Sequence, residues 1–356
     1  MKKYYLTLTI LILLAGFSCK RNNKLEAELE DIMFEFIEES VAPGMGLGYF
    51  SEKTGTILLA VGKADVENNI PIEIGSNYPI QSTTKMFMSI LTLQLIEEDK
   101  LELESTIDEW IDYVPNNSKI TIRHLLTHTS GLNYYLNNSE FIDEYFSGRE
   151  NKYTRNDLIR AGLEVSHDKE IGNWEYSNTN YLILANIIET ITQQSIFKAL
   201  EQRIFRPAEM NHTYFKPGIT GDTTSIIKCY RFGESIDLEK WNYLANTGGG
   251  IVSTIKDMLK FAHWIMDNNY HLLMAAESEL TNRSDSGAYG LGIEIGNEMY
   301  CIPMMGHSGG NPGLIHFFSF SKETGEIIVY YLNEGRAGKP FGKFMKDLDE
   351  ILQRYR

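Results

Sequence analysis

Basic residues are scarce: 33 lysines and arginines stand against 48 aspartates and glutamates in 356 residues, a formal charge of −15 at pH 7. That balance disfavours nucleic acid as a partner, because phosphate binding needs a basic face. It says little about a small substrate, since local charge at a site can oppose the total. Cysteine is scarcer, with only Cys19, Cys229 and Cys301. The last two are far apart in sequence and define no disulfide, and a pair of buried free thiols is the commoner outcome. No apolar run is long enough for a comfortable membrane span. No internal repeat or low-complexity stretch is present, and no Gly-x-Gly-x-x-Gly loop precedes a helix. Gly44, Gly46 and Gly48 alternate instead along a strand pattern.

What remains is a chain able to bury a large core in one or two domains, with 43% apolar and 23% charged residues. Its plentiful aromatics argue against disorder. Residues 1–19 read as an export signal. Lys2 and Lys3 form a basic start, Leu6 to Ala15 a short apolar core, and Gly16-Phe17-Ser18-Cys19 a lipobox-like end, with Phe17 bulkier than usual there. The expected product is exported and held at the bacterial cell envelope by an acylated Cys19, facing the periplasm or cell surface, with a soluble periplasmic product as the alternative.

Periodicity then divides the chain. Residues Lys24 to Ser40 carry a helical apolar stripe, and Met45 to Phe50 and Thr56 to Val61 read as a hairpin. From Ser82 to about Asn211 the pattern is helical. Expected segments are Ile107 to Tyr113, Thr121 to Thr129 with Gly131 ending it, Thr154 to Leu163, Thr179 to Thr192 and Ser195 to Phe205. After Thr213 the period becomes two, with strands expected at Ile226 to Phe232, Leu291 to Ile295, Met299 to Met305, Leu314 to Ser321 and Ile327 to Leu332. One helix interrupts, Thr254 to Met266, opened by a Thr254/Asp257 capping box. Another, Pro340 to Tyr355, closes the chain. The expected fold is α+β: an antiparallel sheet flanked by helices and built from both chain ends, with a helical insertion. The corresponding boundaries are 24–80 and 213–356 for the sheet domain and 81–212 for the helical one.

Three short motifs carry chemistry. Ser82 and Lys85 lie three apart at the entrance of an apolar helix, which puts hydroxyl and ammonium on one face. A lysine depressed by burial can take a serine's proton. Tyr176 and Asn178 can point into one cleft from an extended turn, the phenol carrying a proton if a cation lowers its pKa, the amide binding a substrate carbonyl. His307-Ser308-Gly309-Gly310 offers small residues beside which a substrate backbone can lie. Gly306 to Gly310 also fits a Gly-x-Ser-x-Gly elbow, but no acid-then-histidine order follows Ser308. His124 and His128, four apart, lack the glutamate of a zinc peptidase and read as helix-end histidines.

In their order, Ser82-x-x-Lys85, Tyr176-x-Asn178 and His307-Ser308-Gly309 resemble the serine β-lactamase and penicillin-recognising hydrolases. That group includes class C β-lactamases, D-alanyl-D-alanine carboxypeptidases, and esterase and aminopeptidase relatives. Leu125 to Leu132, Gly248 to Thr254 and Tyr289 to Gly292 are similar to the same family, and the likeness runs from about residue 28 to 350. It implies Ser82 as the nucleophile of an acyl-enzyme, Lys85 and Tyr176 as the proton-handling pair, and Asn178, His307, Ser308 and Gly309 as substrate-binding residues. It implies an oxyanion hole from the Ser82 and Gly310 N–H groups, and neither metal nor cofactor. His307 stands where many relatives carry lysine, removing a permanent cation near the carboxylate site. The expected activity is therefore amide or ester hydrolysis, with a D-alanyl-D-alanine carboxypeptidase, peptidase or esterase leading. A class C-like β-lactamase and a penicillin-binding sensor without turnover are the alternatives.

Overall fold

The computed structural model describes residues 24–147, 153–165, 169–215, 226–237, 246–275, 287–296 and 304–356. The export signal, Cys19, Cys301 and most of the expected 299–305 strand lie outside them.

The order opens with α1 (24–39), β1 (Gly44–Ser51), β2 (Gly55–Asp65), β3 (Ile70–Pro71) and β4 (Tyr78–Pro79). A single 3-10 turn, Gln81–Thr83, leads into α2 (Thr84–Glu97). Then come α3 (Ile122–Leu126), α4 (Ser139–Phe146), α5 (Arg155–Leu163), α6 (Asn178–Thr192) and α7 (Ile196–Leu200). Short strands β5 (Tyr214–Phe215), β6 (Tyr230–Arg231), β7 (Glu234–Ser235) and β8 (Ile251–Ser253) precede α8 (Ile255–Asp267) and α9 (Tyr270–Ala275). The chain ends with β9 (Ala288–Tyr289), β10 (Glu294–Ile295), β11 (Met305–Asn311), β12 (Leu314–Phe320), β13 (Ile327–Leu332) and α10 (Gly338–Tyr355).

The main sheet is antiparallel in the order β3-β2-β1-β13-β12-β11-β10-β9, so strands from the two chain ends meet at β1 and β13. Both faces are covered, and alternation sorts the side chains between them. Met45, Leu47, Tyr49, Ile328, Tyr330 and Leu332 pack under α1 and α10, against residues such as Leu29, Phe36, Phe344 and Leu348. Val329, Tyr331 and Phe318 face the other way, into the large core shared with α2, α6 and α8. The alternating glycines of β1 have their explanation here. A Cβ on Gly48 would stand 2.4 Å from Ile255 Cγ2, and one on Gly46 2.7 Å from Ile255 Cδ1. Glycine thus lets α8 lie close against the strand.

Several local expectations are corrected. Ile107 to Tyr113 is only a 3-10 turn over Ile107–Glu109. The helix from Thr121 stops at Leu126, and His128 (φ +60°), not Gly131, makes the first left-handed turn after it. Ser195 to Phe205 is α-helical to Leu200 and continues as a π-turn. The 226–232 strand shrinks to Tyr230–Arg231, ending at Phe232 with φ +56°. The 291–295 strand shrinks to Glu294–Ile295, because Gly292 (φ +71°) turns the chain against Ser89 and Tyr181. Thr254 caps α8, but the Asp257 carboxylate accepts from His212 N–H and Thr213 Oγ1 instead of closing a box. Among the described residues no helix is long and apolar enough to cross a membrane.

Candidate active site

The α2 helix is buried nearly all round, so its first turn is held on every side. Ser82 sits in the preceding 3-10 turn behind Gln81, which is buried and adopts φ +49°, a strained value for a side-chain-bearing residue. Lys85, one turn on, is fully buried. Its Nζ lies 3.2 Å from Ser82 Oγ and donates to the Gly248 carbonyl at 2.7 Å. The same nitrogen stands 4.7 Å from the Tyr176 ring centroid. Burial moves the Lys85 pKa well below the ordinary lysine value, opposed in part by the Glu294 charge.

Tyr176 approaches from the opposite side and donates its hydroxyl to Ser82 Oγ at 2.7 Å. Its segment is fixed by the turn after α3. His128 C=O accepts from Glu175 N–H at 2.8 Å, and His128 Nδ1 lies 3.2 Å from Ser177 N. The sequence suggested that a cation would lower the phenol's pKa. The structure reverses this: burial raises it, only partly offset by the hydrogen bond with Ser82. Asn178, the first residue of α6, donates Nδ2–H to Tyr134 Oη at 2.9 Å. Its Oδ1 is buried with no hydrogen-bond partner among the described residues. Asn178 lines a cavity of about 330 Å³ together with Ser82, Tyr134 and Gly310.

The third motif lies within strand β11. β10 pairs with β11 only at Met305 and Gly306. Beyond that the edge of β11 lies against the Ser82 turn, where Thr83 Oγ1 donates to His307 C=O at 3.0 Å. A Cβ on Gly309 would come within 2.6 Å of Ile80 O and 3.0 Å of Ser82 N, so glycine is what permits this approach. His307 is buried, with Nε2 3.0 Å from Tyr289 Oη and Nδ1 2.5 Å from Ser308 O. A cleft of about 530 Å³ runs along this edge, lined by Ser82, Trp174, Tyr176, Glu294, His307 and Ser308 among others.

Ser82, Lys85, Tyr176, Asn178, His307, Ser308, Gly309 and Gly310 therefore border one pair of adjoining cavities or, for Lys85, sit directly behind them. Sequence reasoning missed the Gly248 carbonyl, Tyr134, Tyr289 and Glu294. Gly248 and Tyr289 lie in stretches that already looked familial, but nothing in the sequence gave them partners. Gly306 to Ser308 lie within a strand and form no elbow. His124 closes the Thr121 cap, with Nδ1 3.1 Å from Thr121 N, and His128 holds the Tyr176 segment. No group of three potential metal ligands occurs among the described residues, and Cys229 is a buried free thiol.

The arrangement can deprotonate an alcohol and stabilise the charge that develops when it attacks a carbonyl. Comparison with known proteins agrees. A family model described as Beta-lactamase matches residues 29–347. A penicillin-binding protein of Bacillus subtilis (strain 168) is 28% identical over 339 residues, covering 86% of this chain and 74% of that protein. The crystal structure of D-amino acid amidase from Ochrobactrum anthropi SV3 superposes with a TM-score of 0.78 at 21% identity, over 94% of this chain and 100% of that one. EstCE1, described as a hydrolase with promiscuous acyltransferase activity, gives 0.72 at 18% identity, over 93% and 99%. With a family model spanning nearly the whole described chain, the protein belongs to the Beta-lactamase family and is a serine hydrolase.

Proposed function

We propose that the protein hydrolyses an amide or ester next to a D-amino acid through an acyl-enzyme on Ser82. The observation that carries this is the Ser82 hydroxyl held between a phenol at 2.7 Å and a desolvated lysine at 3.2 Å. As a neutral amine, Lys85 accepts the Ser82 proton while its own N–H holds the Gly248 carbonyl. Tyr176 donates to Ser82 Oγ, from where it can pass its proton to the leaving group and regain one from the Lys85 ammonium that took the serine's. The N–H groups of Ser82 and Gly310 receive the oxyanion. Asn178 Oδ1, buried and unpaired, accepts a substrate N–H. The amidase activity named for the Ochrobactrum anthropi protein and the hydrolase and acyltransferase activity named for EstCE1 support acyl transfer from an amide or related acyl donor.

A chromogenic ester should give a burst stoichiometric with enzyme, followed by steady turnover, the signature of an accumulating acyl-enzyme. A burst without turnover would mean a penicillin-binding sensor instead, and rapid nitrocefin hydrolysis would mean a β-lactamase. We place the enzyme at the cell envelope through an acylated Cys19, a reading supported by the basic and apolar residues before it. Cys19→Ala should block lipidation and release the protein from membranes, as fractionation would report. An unchanged membrane fraction and normal processing would sink the anchor.

A further inference from the structure

The Gly248 carbonyl that receives the Lys85 N–H belongs to a 3-10 turn, Asn246–Gly248, outside all three sequence motifs. The turn opens at Asn246, which is buried and adopts φ +44°, a value kept only where the surroundings hold it. Asn246 Oδ1 accepts from the Thr247 N–H at 2.9 Å and from Arg155 Nε at 3.3 Å. Its carbonyl accepts from Gly249 N–H at 3.1 Å, and Thr247 Oγ1 donates to the Tyr181 carbonyl at 2.9 Å. Gly248 is also pressed against the Asn178 side chain, where a Cβ would stand 2.7 Å from Asn178 Cγ. One short turn therefore touches both the base and the amide that lines the second cavity.

Arg155 reaches this turn from outside the site. It is the first residue of α5, behind the Thr154 cap, and is not among the described residues lining either cavity. Nη1 donates to Glu189 Oε2 at 2.6 Å and to Asn186 Oδ1 at 3.0 Å, and Nη2 to Glu189 Oε1 at 3.3 Å. Glu189 Oε1 also accepts Ile196 N–H at 2.8 Å, so the pair ties α5, α6 and the start of α7. With the guanidinium plane braced on α6, the direction of Nε toward Asn246 is fixed. A lysine here has a single nitrogen and cannot serve both sides.

We propose that Arg155 is a positioning residue for acyl transfer: braced by Glu189, it pins Asn246 so that the Gly248 carbonyl orients the Lys85 nitrogen toward Ser82. The proposal rests on the acyl-enzyme reading of Ser82. The carbonyl is the acceptor for the ammonium that forms when Lys85 takes the serine proton, so it favours the product of that step. The Tyr176 and Tyr181 rings also face the nitrogen, at 4.7 and 5.5 Å, as does the Ser82 hydroxyl, and the Glu294 charge acts on it. Loosening the turn withdraws the acceptor, which slows proton transfer and lets Lys85 lose its proton at lower pH.

Arg155→Lys keeps a cation for Glu189 but not the second contact, so it separates helix pairing from positioning. Its melting temperature should change little. With p-nitrophenyl acetate, kcat/KM should fall about 10- to 100-fold, the range expected when a catalytic group is displaced from a distance. The rise of its pH profile should move down by about half a unit or more. Labelling of Ser82 by a fluorophosphonate should slow by the same factor as kcat/KM, independently of turnover. Asn246→Ala should reproduce these changes, and the double variant should lose no more than the worse single one, because both remove one contact. An Arg155→Lys enzyme with the wild-type pH profile and labelling rate, or losses that multiply in the double variant, would overturn the proposal. Failure of wild-type Ser82 to label at all would instead strike the acyl-enzyme reading.

Discussion

Ser82→Ala should lower kcat by about 10⁴- to 10⁶-fold and abolish covalent labelling by a fluorophosphonate or a penicillin, while the protein stays folded. The size follows from the division of labour in the cleft. The Ser82 oxygen is the atom on which Tyr176 and Lys85 both converge, at 2.7 and 3.2 Å, so no neighbouring hydroxyl can inherit its position. Thr83 is committed to the His307 carbonyl and Thr84 to the Ile251 N–H. Residual turnover would come only from a water held near the oxyanion donors. Stability should change little, because Ser82 is half-buried and borders both cavities, where water can meet the donors left behind. Intact-mass analysis after probe exposure and a thermal melt check the two halves. A labelled Ser82→Ala protein would mean that the nucleophile lies elsewhere.

The pair at 82 and 85 was legible in the sequence because helical spacing alone decides that the two side chains share a face. β13 was legible to the residue, Ile327 to Leu332, because a continuous apolar run bounded by a turn leaves one reading. So was the meeting of both chain ends in one sheet. What escaped depends on partners distant in the chain. β4, β5 and β8 form a small sheet of two- and three-residue strands, too short to show any period. The helix α4 was missed because its buried side chains are essentially Phe141 and Tyr145, one turn's worth of pattern. His128 took the left-handed turn expected of Gly131, a choice made by its packing among Tyr176, Tyr181 and Tyr289. Glu294 read as one residue of a strand, and only the pairing of β10 with β11 brings it onto Ser308.

The pH profile of the wild type, set beside Lys85→Arg, should identify the base. A base must be deprotonated to act, so kcat/KM rises with pH through its pKa and then levels. Burial holds Lys85 well below the ordinary lysine range, which places the rise and the plateau below about pH 10. Tyr176 is shifted the other way, so a phenolate base would leave activity still climbing above the ordinary tyrosine range. Lys85→Arg cannot lose its proton, and should cost about 10³- to 10⁴-fold in kcat/KM. The same burial has a thermodynamic signature that needs no substrate. Between the folded and unfolded pKa values of Lys85 the unfolded chain binds the extra proton, so wild-type stability gains with rising pH. Lys85→Met lacks that term. Its melting temperature relative to wild type should therefore fall as pH rises from 7 to 10, the sign expected if Lys85 is an uncharged amine in the folded enzyme. A difference that stays constant with pH, together with an activity rise beyond pH 10, would transfer the role of base to Tyr176.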